Sequence, residues 1–269
     1  MHTRVLAEKG GVDHRFAIDD RIFLGEGLFE TLRVANANPC FSQLHWQRLH
    51  ASAAKLGIPF DITPDDWLEH LILQIKRDNL YNGGIKAILS GGQAPRGLGE
   101  RGLVSQLVFQ TFNYSSVSHP VRLMSSSWLR DRANPLYQIK SVNYLEAIMA
   151  RRLAQTKGMD DVLFFNLDQC ATETTCANLF LIMDNSIITP PVSDGLLPGI
   201  TRSRIISMCA RNNIPFLETS VSKSMLEKAE VIFTCNSLNG IRCVLAIDDL
   251  IFRVEHPLLS QIKDLLDIN

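Results

Sequence analysis

"GLLPGITRSRII", residues 195–206, sets two glycines and a proline directly before a threonine, two arginines and an apolar run with helical spacing. A helix N-terminus carries unpaired backbone N–H groups and a partial positive charge, so a glycine-rich turn leading into one forms a cradle for an anion, most naturally a phosphate. Taken alone, Pro198 and Gly199 equally suit the ordinary start of a helix. Partners elsewhere in the chain must decide between the two.

The 269 residues are 46% hydrophobic and 20% charged, with a net charge of −1, enough chain for one large core or two modest ones. No basic excess points to a nucleic acid and no long charged tail to a membrane surface. The N-terminal "MHTRVLAEKGGVDHR" is polar and no run reaches membrane-spanning length, so the expected location is the cytoplasm. Cys40, Cys170, Cys176, Cys209, Cys235 and Cys243 show no metal-ligand spacing and read as small apolar residues, without disulfides or zinc.

β-rich runs at 29–34, 85–90 and 106–112 are predicted strands, with helices at 42–56 and 64–79 between the first two. Thr63 can cap the second helix, with Pro64, Asp65 and Asp66 in its first turn. The polar "NYSSVSHP" (113–120) breaks the pattern, giving an N-terminal domain 1–114, a linker 115–121 and a larger C-terminal domain 122–269. The second half carries predicted strands at 121–126, 161–166, 178–183, 186–190, 231–235 and 242–247, and helices at 143–157, 200–212 and 256–267. On the 143–157 helix, Leu145, Ile148, Met149 and Leu153 share a face. The mixture lacks a regular βαβ rhythm and the usual nucleotide fingerprints, so the fold class is α+β.

Three side chains are candidates for the chemistry around the suspected phosphate. Trp46, Leu49, Ala53 and Leu56 mark the buried stripe of the first helix, with His45 and Arg48 along its flank, and the Arg48 fork suits phosphate. Lys140 in "QIKSVNYLEAIMARRLA" ends an extended segment just before a helix, where a deprotonated lysine can act as nucleophile or base. Glu173 in "ATETTCANLFLI" leads into a strongly apolar strand and can hold a cationic ring nitrogen.

The segments "DRIFLGEGLFETLRV" (20–34), "HWQRL" (45–49), "IKSVNYLEAIMAR" (139–151), "ATETTCANLFLI" (171–182) and "GLLPGITRSRI" (195–205) appear in the order found in the fold type IV, pyridoxal-phosphate-dependent enzymes, which the chain resembles over nearly its whole length. The resemblance implies a two-domain fold of the D-amino-acid-aminotransferase kind, with pyridoxal 5'-phosphate as cofactor. It makes Lys140 the residue that binds the cofactor covalently and then moves protons, and Glu173 the partner of the pyridine nitrogen. Arg48, the backbone N–H groups of Ile200 and Thr201 and the Thr201 hydroxyl resemble the phosphate cup, to which Asn236 and Ser237 add a contact. Tyr144 is matched to the ring oxygen. "LSGGQAPRGLGERG" (89–102) looks most similar to aminodeoxychorismate lyases and makes Arg96 a carboxylate ligand for substrate. The resemblance thus implies a lyase that turns 4-amino-4-deoxychorismate into 4-aminobenzoate and pyruvate, for folate biosynthesis. A branched-chain or D-amino-acid aminotransferase stands second, and a non-catalytic binder of phosphate ligands third. A homodimer acting on a small amino substrate is expected, with no metal, nucleic acid or membrane partner.

Overall fold

Alternation along "LFETLRV" sets the first half of the molecule, because side chains one residue apart on a strand point to opposite faces. The computed structural model describes residues 2–6 and 16–266. Its first compact unit runs to Ser115 and includes Ile139–Asn143. It holds β1 (His2–Leu6), β2 (Gly27–Ala35), β3 (Asn38–Pro39), α1 (Ser42–Leu56), α2 (Pro64–Arg77), β4 (Gly83–Ser90) and β5 (Val104–Phe112). The strands form one sheet in the order β1-β5-β4-β2-β3, antiparallel except for the β1–β5 pair. Leu28, Leu32 and Val34 of β2 pack with Ile85, Ala87 and Leu89 of β4 and with Leu49, Ala53, Trp67, Leu71 and Ile75 of the two helices. α2 begins as its sequence demands: the Thr63 hydroxyl accepts from the Asp66 N–H at 3.1 Å, and Pro64 occupies the first turn.

Ile139–Asn143 was expected in the second domain but belongs to the first unit. Its backbone is tied to β2: the Phe29 N–H donates to the Lys140 carbonyl at 3.0 Å and the Val142 N–H to the Gly27 carbonyl at 3.0 Å.

The second unit holds Ser116–Gln138 and the chain from Tyr144 onward. Its elements are β6 (Val121–Arg130), α3 (Leu145–Thr156), β7 (Asp161–Asn166), β8 (Ala171–Thr174), β9 (Asn178–Met183), β10 (Ser186–Thr189), α4 (Ile200–Arg211), β11 (Phe216–Glu218), α5 (Lys223–Lys228), β12 (Val231–Asn236), β13 (Gly240–Ile247), β14 (Leu250–Ile251) and α6 (Pro257–Leu265). The last predicted helix reaches 267, which lies outside the described residues. The strand order is β11-β10-β9-β12-β13-β6-β7-β8, with β14 on β13, and β8 also pairs with β9, so the strands from β9 to β8 close into a ring. The closing pair is Glu173 with Asn178. β7, β9 and β12 read as continuous apolar runs because both faces are covered: Leu179, Leu181 and Ile232 join one core, while Phe180, Ile182 and Phe233 join another with α4 and α6.

One helix face differs from the sequence reading, and a second helix buries the side opposite its large apolar residues. On α1 the residues sealed inward are His45, Leu49, Ser52 and Ala53, with Trp46 and Leu56 only partly covered. On α3 the inward face is Ala147, Ala150 and Ala154, set against β7, while Leu145, Ile148, Met149 and Leu153 face outward at 67, 42, 50 and 38% exposure. Small alanines let this helix approach the sheet closely, and the large side chains stand on the opposite side. No helix among the described residues is long and apolar enough to cross a membrane.

Candidate active site

Glu30 is the residue that the sequence reading missed in the first unit. It follows Leu28 and precedes Leu32 on β2, so the two-residue period assigns it to the helix-covered face, and its carboxylate is sealed at 1% exposure. Its cross-strand neighbour is Ala87, whose small side chain leaves room for it. Arg48 reaches down from α1 and donates through Nε at 2.8 Å and Nη2 at 2.6 Å. His45, one turn earlier, sets Nδ1 at 2.6 Å from the same carboxylate. Burial alone would raise the Glu30 carboxyl, but the Arg48 charge and the bonds from Arg48 and His45 prevail and push it down to about 2. His45 is moved down by burial, against the pull of Glu30, with Arg48 and Lys140 adding to the fall. A neutral imidazole that donates from Nδ1 leaves Nε2 as an acceptor, and this buried atom has no hydrogen-bond partner among the described residues.

Lys140 belongs to the same unit. Its ammonium lies 4.3 Å from the centroid of Phe29, and that of Lys86 lies 4.5 Å from the same ring. Burial first and the Lys140 charge second lower the proton affinity of Lys86. Arg96 is exposed on the β4–β5 loop. That loop is pinned by Arg21, whose Nη1 donates to the Gly97 carbonyl at 2.9 Å and Nη2 to the Leu98 carbonyl at 3.4 Å. At the loop's root Gly92 has φ +81°, and a side chain there would run into the Val104 carbonyl.

In the second unit Glu173 stands at the ring's closing pair, fixed from three directions. Arg130 donates through Nη1 at 3.3 Å, the Asn178 amide at 3.3 Å and the Leu197 N–H at 3.2 Å. Arg130 is itself fixed by Glu146 at 2.8 Å and lies 3.6 Å over the Phe164 ring. Asn178 also donates to the Leu197 carbonyl at 2.9 Å, which couples Glu173 to the turn that starts α4. At that turn a Cβ on Gly199 would run into Asn178 Oδ1 and displace the amide that holds Glu173. No side chain caps α4, and Ile200 and Thr201 are buried in its first turn. Arg202 points elsewhere: Nη2 donates to the Pro190 carbonyl at 2.8 Å and pairs with Glu218.

Asn236 ends β12 and spends its side chain on structure. Its Oδ1 accepts from the Leu238 and Asn239 N–H groups at 3.1 and 2.8 Å, and its Nδ2 donates to the Cys176 carbonyl at 3.3 Å. Ser237 is half-buried in the same turn, and Tyr144 is half-buried at the N-terminus of α3. Within the first unit, then, Arg48 and Lys140 share an electrostatic neighbourhood. Within the second, Glu173 and the start of α4 are linked through Asn178. Sequence reasoning missed Glu30, Arg130 and Asn178. For Glu30 a signal existed, a charge at an inward strand position; for Asn178 and Arg130 none did, since polar residues at strand ends are ordinary.

These features fit an anionic aromatic cofactor. In the second unit an uncapped helix start suits an anion and a held carboxylate suits a ring N–H, while in the first unit burial and the Lys140 charge lower the proton affinity of Lys86. Comparison with known proteins agrees. A structure of a Legionella pneumophila protein provisionally named 4-amino-4-deoxychorismate lyase shares 60% identity over 99% of both chains, with a TM-score of 0.97. The 4-amino-4-deoxychorismate lyase of Pseudomonas aeruginosa shares 25% identity over 95% of this chain and 97% of that one, with a TM-score of 0.81. The D-alanine aminotransferase of Bacillus licheniformis is 28% identical over 86% of this chain and 82% of that protein. Residues 27–247 match the family model described as amino-transferase class IV. The chain therefore belongs to the class IV aminotransferases, an α+β enzyme family that depends on pyridoxal phosphate.

Proposed function

We propose that this chain is a 4-amino-4-deoxychorismate lyase, which releases pyruvate and forms 4-aminobenzoate, a folate precursor. The observation that carries the reading is the 60% identity, over 99% of both chains, to the provisionally named Legionella lyase.

In this reading Lys140 holds the cofactor, and Arg48, the Ile200 and Thr201 N–H groups and the Thr201 hydroxyl bind its phosphate. Asn236 and Ser237 add contacts through the backbone and the serine hydroxyl. The Glu173 carboxylate accepts the pyridine N–H and keeps that nitrogen protonated, and the Tyr144 hydroxyl approaches the ring oxygen. Bound pyridoxal phosphate supplies an electron sink. Lys140 Nζ would remove the proton from the amine-bearing ring carbon of substrate, the bond between the ring carbon and the enolpyruvyl oxygen would break as the ring becomes aromatic, and the departing enolpyruvate would take that proton at its methylene carbon to leave as pyruvate. Arg96, on its pinned loop, binds a substrate carboxylate. The outward apolar stripe of α3 supports a homodimer. Six free cysteines support work in a reducing cytoplasm.

An aminotransferase is the second reading, favoured by the 28% identity to D-alanine aminotransferase. Incubation with aminodeoxychorismate and no keto acid separates the two. Many turnovers of pyruvate support elimination; one equivalent of amino transfer per site, then arrest, contradicts it. A protein that takes up no pyridoxal phosphate contradicts both.

A further inference from the structure

A carboxylate on the core side of a strand, flanked by Leu28 and Leu32, breaks the pattern that builds the sheet. A leucine would fit that pattern without needing charged partners. Instead two polar side chains of α1, three residues apart and so on one helix face, descend to meet Glu30. The arrangement uses two parallel N–H···O bonds along the Nε–Nη2 edge, the geometry that removes rotation from a guanidinium. His45 fills the other side of the carboxylate and fixes it in turn.

We propose that Glu30, seated by His45, is a positioning residue for Arg48: it holds the guanidinium in one orientation and so delivers it ready-made to the cofactor's phosphate. This rests on the reading of Arg48 as a phosphate ligand given above. Glu30 touches neither substrate nor cofactor. Its contribution is the ordering of a long side chain before the anion arrives.

The test uses the full chain, stripped of cofactor and titrated by absorbance with pyridoxal phosphate and, separately, with pyridoxal. The dissociation constant for pyridoxal divided by that for pyridoxal phosphate isolates what the phosphate contributes, since loss of general structural integrity weakens both ligands alike. R48M lowers this ratio by about 100-fold, and E30Q lowers it by about 10-fold with pyridoxal affinity unchanged. The double variant E30Q/R48M removes both charges together and so avoids a stranded buried ion; its ratio equals that of R48M. This comparison holds even where E30Q alone folds poorly. An unchanged ratio in R48M overturns the phosphate reading itself. A fall in R48M with no change or a rise in E30Q, or a double variant below R48M, overturns the proposal and leaves that reading standing.

Discussion

The two units solve one problem with opposite charges. In the first, a carboxylate, Glu30, holds a cation, Arg48; in the second, a guanidinium, Arg130, holds a carboxylate, Glu173. Exposure separates the support from the group it supports: the side chain of Glu30 is 1% exposed against 12% for Arg48, and that of Arg130 is 6% against 13% for Glu173. In each pair the more enclosed member belongs to the scaffold and the more open one is the residue we propose meets the cofactor. A buried ion pair adds little net stability, because desolvating both charges offsets their attraction, so two such pairs in one small chain mark places where orientation matters.

The comparison breaks most visibly at the reacting amine. K140A lowers turnover roughly 1,000-fold or more while the unfolding midpoint stays within about 3 °C, read by steady-state kinetics and thermal melts. A comparable loss of stability would make Lys140 part of the scaffold instead.

Acid sharpens the contrast between the two supports. Both His45 and Glu30 have folded-state proton affinities below their unfolded values, so each contributes stability that is complete at higher pH and drains away as pH falls. The His45 share goes as pH drops below 6.5, and the Glu30 share between 4.5 and about 2. Urea unfolding from pH 7 down to 3 should show this limb in the native chain and a shallower one in E30Q/R48M. Equal slopes would contradict the network.

On the other side, E173Q keeps the shape of the carboxylate but not its charge. It lowers turnover about 10- to 100-fold with the cofactor retained after dialysis, since a charge-assisted bond contributes about 1.5 to 3 kcal/mol. Loss of the cofactor instead would make Glu173 a binding group. The smallest effect on stability comes from the outward stripe of α3. On the proposal that this stripe joins two copies of the chain, L145E/M149E yields a monomer in sedimentation where the native chain sediments as a dimer, while each folded chain loses no more than about 0.5 kcal/mol.

Sequence reached most of the frame and about half of the working detail. Strands such as Asn178–Met183 and helices such as Ile200–Arg211 were legible because long apolar runs and glycine–proline starts have few alternatives. β3 and β14, two residues each, leave no periodicity to read. On α3 the large apolar residues share one face, as their spacing said, but the side that meets the sheet was not legible because alanine carries little weight in a hydrophobic pattern, though it is what allows close approach to a sheet. Lys140, Arg48 and Glu173 were raised as candidates by their local chemistry and given their roles by the ordered segments. Their supports are long-range: Glu30 meets Arg48 across 18 positions and Arg130 meets Glu173 across 43. Such pairings exist only once the sheets have formed.

The most direct measurement is to load the chain with pyridoxal phosphate, reduce it with borohydride, digest it and locate the modified lysine by mass spectrometry. The account predicts one pyridoxyl-phosphate group per chain, on the peptide that contains Lys140, and none in K140A. Modification of Lys86, or of any other lysine in its place, would contradict it.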